Sequence, residues 1–129
     1  MTNAPKTVLA IHDLPGFGRA ALSVIVPVLS ALGVQTVALP TAVLSTHTGG
    51  LGACQLADPA YGPAALAHYH RLGVKFDCIY SGYLADAAQA KLVQQAFALW
   101  PRASRSWIPC WGTAAGCTVV WGRICSRHV

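Results

Sequence analysis

The chain has 129 residues, 54% of them apolar and 10% charged, which argues for one globular domain with its own core and against a disordered chain. Its formal net charge is +5, but residues 1–101 hold five Lys or Arg against all four acids. The remaining cations, Arg102, Arg105, Arg123 and Arg127, are scattered along a tail without a basic face, so nucleic-acid binding is not expected.

Residues 7–12, TVLAIH, predict a short buried strand that Asp13, Pro15 and Gly16 end in a loop. Over 19–32 the apolar positions Leu22, Ile25, Val26, Leu29 and Leu32 recur at helical spacing, with Gly33 as the stop and Pro27 predicting a kink or a late start. Residues 34–39 predict a second strand, followed by the hydroxyl- and glycine-rich loop PTAVLSTHTGG at 40–50. A helix is expected over 63–72, with Pro63 in its first turn and Gly73 at its end. Residues 76–80 predict a third strand, Ser81 and Gly82 turn out of it, and a helix over 86–100 stops at Pro101. Strand and helix alternate three times, the pattern of an α/β fold with a parallel sheet covered on both faces. Ligands bind such sheets beyond the carboxyl ends of the strands, where the segments after Ile11, Leu39 and Ile79 all fall.

Five cysteines are an odd number in a chain whose amino terminus lacks the apolar core of a secretory signal, so a disulfide framework is not expected and a cytoplasmic protein is. The apolar runs break before the roughly 18–20 residues of a membrane span. Cys110, Cys117, Cys125 and His128 lack the paired spacing of a zinc site, and no metal site is expected.

Three separated segments carry a resemblance: DLPGFGRAAL with a helix ending VPVLSALGVQ, then LPTAVLSTHTGG, then LGVKFDCIYSGYLADAAQ. In that order and spacing, over residues 7–101, the chain resembles the N-terminal part of the pyridoxal and pyridoxamine kinases of the ribokinase-like superfamily. The resemblance implies an incomplete ribokinase-like, Rossmann-like three-layer α/β sandwich with a parallel central sheet. It implies transfer of the ATP γ-phosphate to the 5′-hydroxyl of a B6 vitamer, with ATP and Mg as co-substrate in the intact family and a homodimeric assembly. It places Asp13 where the family hydrogen-bonds the pyridine ring and Thr48 at a second substrate contact, with Ser45 and His47 beside it. Ala42, Leu44 and Tyr83 stand where the family lines the pocket. Those residue types suit a flat heterocycle, which needs a few directional donors and acceptors among apolar and aromatic walls.

Plainer roles exist for the same residues. Asp13 beside Pro15 and Gly16 is also a turn-forming aspartate. Ser45, Thr46 and Thr48 are also loop hydroxyls that bond to backbone. His47 is also a structural hydrogen-bonder and Tyr83 plain packing; His12 reads as a strand-end residue, and His68 and His70 as residues on an exposed helix face.

Phosphoryl transfer needs charge stabilisation around the triphosphate and usually a base for the hydroxyl proton, yet no acid follows Asp86. The tail crowds Trp107, Trp111 and Trp121 with Cys110, Cys117 and Cys125. Back-translated one base out of step, the stretch from Trp107 to Arg127 permits DPVLGDGGRLYG, an acidic segment of the kind the resemblance implies at this point. The expectation is therefore an N-terminal kinase portion at 1–101 and an out-of-frame tail at 102–129, with the family's catalytic Asp outside the chain and ATP and Mg not well bound by it. The alternatives are a hydroxymethylpyrimidine kinase-like enzyme, which shares the fold and the chemistry, and a non-catalytic fragment.

Overall fold

The computed structural model describes residues 4–82 and 84–107, which form an α/β unit. The elements in chain order are β1 (Thr7–Phe17), α1 (Leu22–Ala31), β2 (Gln35–Thr46), β3 (Gln55–Leu56), α2 (Tyr61–Arg71), β4 (Cys78–Ser81), α3 (Ala87–Leu99) and β5 (Ser104–Trp107). The strands make one sheet in the order β3-β2-β1-β4-β5. β1 pairs in parallel with both β2 and β4, β4 pairs in parallel with β5, and the two-residue β3 pairs antiparallel with β2. The mostly parallel sheet with helices on both sides is the α/β architecture expected from the sequence.

Local signals account for the helix ends. After α1 the Gly33 N–H donates to the Ser30 carbonyl at 3.0 Å and the Val34 N–H to the Leu29 carbonyl at 2.9 Å. α2 closes the same way, with Gly73 donating to His70 and Val74 to Tyr69, so both predicted glycine stops are Schellman caps. Asp86 caps α3 by accepting from the Gln89 N–H at 2.9 Å, while Gln89 Oε1 accepts from the Ala85 N–H at 2.8 Å, a near relative of the capping box. Pro27 lies within α1.

The core lies on one face of the sheet. Leu9, Ile11, Leu39 and Ile79 are fully buried there against Leu66 of α2 and Leu92, Val93 and Ala96 of α3. Trp100 closes its end: its indole N–H donates to the Val74 carbonyl at 2.8 Å, and its ring meets Phe76 edge-on with centroids 4.8 Å apart. α1 covers the other face, packing on β1 and β2.

Four features differ from the sequence expectation. β1 continues through Pro15 and Gly16 to Phe17, and the segment read as a loop after Leu39 forms the second half of β2, to Thr46. These extensions hold each other, since Leu14 pairs with Val43, Pro15 with Leu44 and Phe17 with Thr46. β3 was not foreseen, and β5 continues the sheet past Pro101, the expected boundary of the kinase portion. Cys110, Cys117, Cys125, His128 and the out-of-frame segment lie outside the described residues.

Candidate functional site

The chain leaves β1 for β2 on one side through α1 and then crosses back past β1 to β4 through α2, so strand order reverses between β1 and β4. At such a switch point the two crossovers pass over opposite faces and leave a crevice beyond the strand carboxyl ends. β1 and β4 part at this point: Ile11 and Ser81 are in register, the Gly82 N–H just past β4 donates to the Ile11 carbonyl at 3.2 Å, and Gly82 lies against the His12 ring.

The β1–β2 ladder slips here. His12 pairs with Pro40 and Leu14 with Val43, so Thr41 and Ala42 face the single residue Asp13. A bulge of this kind re-aims a side chain, and it tolerates Pro40, which has no N–H to give. Asp13 is thereby turned to its neighbour: its Oδ1 lies 2.5 Å from His12 Nδ1, with the two side chains only 19% and 14% exposed. The Asp13 backbone N–H also lies 3.0 Å from that nitrogen, and the donor and acceptor roles follow the ring tautomer. The His12 ring lies near-parallel to Tyr80 with centroids 6.4 Å apart. Burial pushes the Tyr80 hydroxyl pKa up, so it stays protonated at neutral pH. The His12 ring also occupies the space of an absent side chain, since a Cβ on Gly82 would lie 1.8 Å from its Cδ2. Ser81 is 1% exposed, and its hydroxyl has no hydrogen-bond partner among the described residues.

Beyond the bulge, β1 and β2 run on as an arm past the end of β4. Ala42 in the bulge and Leu44 in the arm are both buried. Ser45 Oγ accepts from the Cys54 N–H at 2.8 Å, and the Thr46 hydroxyl donates to the Gly52 carbonyl, so both tie the following loop back to the strand. His47 tips the arm. Its N–H donates to the Phe17 carbonyl at 3.0 Å, and its Nδ1 accepts from the Gly49 N–H at 3.1 Å. Its ring lies over Gly18, where a Cβ would come within 2.3 Å of Cδ2 and where φ is +110°. Thr48 follows in the exposed turn, its carbonyl accepting from Gly50 at 2.8 Å.

The predicted residues thus fall into two groups. Asp13 and Ala42 sit at the switch point, whereas Ser45, His47 and Thr48 sit at the arm tip, five residues from Ala42 to His47, or roughly 16 Å at about 3.3 Å per residue. Tyr83 lies outside the described residues. Sequence reasoning gave no functional weight to His12, Gly18 or Gly82. The available signal was a histidine in or beside one motif facing a glycine in another: His12, just ahead of DLPGFG, meets Gly82 of YSGYL, and His47 of STHTGG meets Gly18 of GFG.

Among the described residues no three His, Cys, Asp or Glu side chains could together hold a metal ion, and no helix is long and apolar enough to cross a membrane.

No family model and no curated protein matches the chain. Solved structures do. A protein of Bacteroides thetaiotaomicron described as a candidate phosphomethylpyrimidine kinase aligns over 84% of this chain and 38% of its own, with 37% identity and a TM-score of 0.76. A second crystal form of it, described as containing pyridoxal, aligns with 38% identity and a TM-score of 0.75 over 80% of this chain and 37% of its own. Pyridoxal kinase from Lactobacillus plantarum aligns over 81% of this chain and 37% of its own, with 30% identity and a TM-score of 0.70. This chain therefore spans less than two fifths of the length of these structures. Its mostly parallel sheet, its strand order and these alignments place it, as a partial member, in the ribokinase-like family of pyridoxal and phosphomethylpyrimidine kinases.

Proposed function

We propose that this chain carries the vitamer-binding side of a pyridoxal kinase, the enzyme type that uses ATP to phosphorylate the 5′-hydroxyl of pyridoxal, pyridoxamine or pyridoxine. The observation that carries the reading is the locking of the three segments through His12, the residue before the first of them, with Gly82 and through His47 with Gly18, at and beyond a topological switch point. The pyridoxal in one crystal form of the Bacteroides protein favours a B6 vitamer over a pyrimidine.

In this reading Asp13 accepts from a polar group of the heterocycle, while Ala42 and Leu44 form apolar wall. The hydroxyls of Ser45 and Thr48 and the ring of His47 meet the substrate from the arm, and Tyr83 packs on its face. Placing and desolvating the acceptor hydroxyl is what these residues contribute to phosphoryl transfer. The described residues hold no group of three His, Cys, Asp or Glu side chains that could hold a metal ion, and no step through magnesium or nucleotide is derived from them. The chain as given is expected to bind vitamer without turning it over, in a cytoplasmic setting and without a nucleic-acid partner.

Titrating the purified chain with pyridoxal and, in parallel, with hydroxymethylpyrimidine tests this. Pyridoxal is expected to bind more tightly, and Asp13→Asn to weaken it about tenfold, the scale of one hydrogen bond to a charged group. Tighter binding of the pyrimidine, or pyridoxal affinity indifferent to Asp13→Asn, would overturn the reading.

A further inference from the structure

The pocket reading assigns Asp13 but not the histidine beside it, whose ring is fixed from three directions. Tyr80 lies near-parallel to one face at 6.4 Å, the Gly82 backbone leaves no room for a β-carbon on another side, and Nδ1 stands 2.5 Å from Asp13 Oδ1. A strand-end histidine serving only to solvate the edge would be exposed, whereas this side chain is 14% exposed. β4 therefore sets the orientation of the ring, and the ring sets the orientation of the carboxyl group. Asp13 needs such a support. It sits in the bulge, where the backbone ladder that would otherwise aim its side chain is interrupted.

We propose that His12 is a positioning residue of this pocket: its imidazole, seated in the space that Gly82 leaves open and against Tyr80, holds Asp13 Oδ1 so that the carboxyl group meets a heterocyclic ligand in one fixed orientation. The inference rests on the vitamer-pocket reading and adds to it a residue that does not itself touch the ligand. It also explains why YSGYL has glycine at position 82: any side chain there displaces the imidazole and releases Asp13.

The test is pyridoxal titration of the 129-residue chain with His12→Phe, His12→Asn and Gly82→Ala, each also followed by thermal melting. Phe keeps the packing on Tyr80 and loses the nitrogen, while Asn keeps a hydrogen-bonding nitrogen near the Nδ1 position. Expected are a tenfold or greater loss of affinity in His12→Phe and Gly82→Ala and recovery to within threefold of wild type in His12→Asn, with the two His12 variants melting alike. Equal affinity of His12→Phe and wild type, or His12→Asn no better than His12→Phe, would overturn the proposal. Absence of pyridoxal binding by the wild-type chain would remove the vitamer reading itself. The 15N resonances of the His12 imidazole in wild type and Asp13→Asn then decide what is left: a shifted Nδ1 resonance supports the orienting contact, and identical spectra overturn it.

Discussion

The sheet face under α2 and α3 and the face under α1 are lined by similar residues, yet they are closed to different degrees. Under α2 and α3, Leu9, Ile11, Leu39 and Ile79 are all fully buried, and so is Leu66 on the helix side. Under α1, Ala10 is buried but Ala38 on the next strand is exposed, and a hollow of about 180 Å³ remains between Val24, Ile25, Val28, Leu29 and Tyr80. α1, written LSVIVPVLSA, is far more apolar than α2, YGPAALAHYHR, but buries only Leu22 while α2 buries Leu66 and Gly62. Apolar content therefore does not by itself make a core. Closure does, and among the described residues two helices lie side by side on the closed face where the other has one.

The largest expected effect breaks this comparison if it fails. Leu66→Ala should cost about 2–5 kcal/mol, the range for truncating a fully buried leucine. Val28→Ala on α1, at a side chain 51% exposed, should stay within about 0.5 kcal/mol. Chemical denaturation of both variants reads the difference, and equal losses would mean that the α1 face is as closed as the other. Next in size is Gly82→Ala. Its β-carbon would overlap His12, and overpacking of this kind costs about 1–3 kcal/mol. Most of that loss should disappear in a His12→Ala background, a non-additivity that a double-mutant cycle measures.

Much of the fold was legible because the helices are written locally. Gly33, Gly73 and Pro101 end them and the alternation with strands gives the sheet. What was not legible is set by pairing across the sheet. Pro15 and Gly16 read as the end of a strand, and Pro40 as the start of a loop, because each breaks strand propensity on its own. They remain in strands because β1 and β2 extend together, with the bulge at Asp13 absorbing the proline. At two residues β3 is too short for any periodicity to reveal. The same holds for the site. The convergence of three segments followed from the order of elements, whereas the roles of His12, Gly18 and Gly82 depend on contacts between residues about 30 or more apart in sequence.

Gly18→Ala and Gly50→Ala sharpen the comparison at the arm. Both glycines have positive φ, but a β-carbon at Gly18 meets the His47 ring while one at Gly50 meets nothing within 4 Å. Gly50→Ala should therefore cost only the backbone strain, about 1 kcal/mol, and Gly18→Ala measurably more. Thermal melts separate the two, and equal losses would show that the His47 contact contributes nothing beyond backbone conformation.

The smallest effect comes from the amino end of the sheet, where Asp77 accepts from the Thr7 N–H at 2.9 Å and from Lys6 Nζ at 3.0 Å. The backbone hydrogen bond first, and Lys6 second, hold its pKa below the ordinary aspartate value. A carboxyl group lowered on folding stabilises the fold above its unfolded pKa and loses that contribution as pH falls through the folded pKa. The melting advantage of wild type over Asp77→Asn should hold steady above about pH 5 and narrow below about pH 4. Both side chains of the pair are well exposed, so the advantage is small. Added salt should remove the Lys6 part and leave the shorter-range backbone part. A gap that stays constant down to about pH 2 would place the stabilisation in the neutral geometry of the turn rather than in the charge.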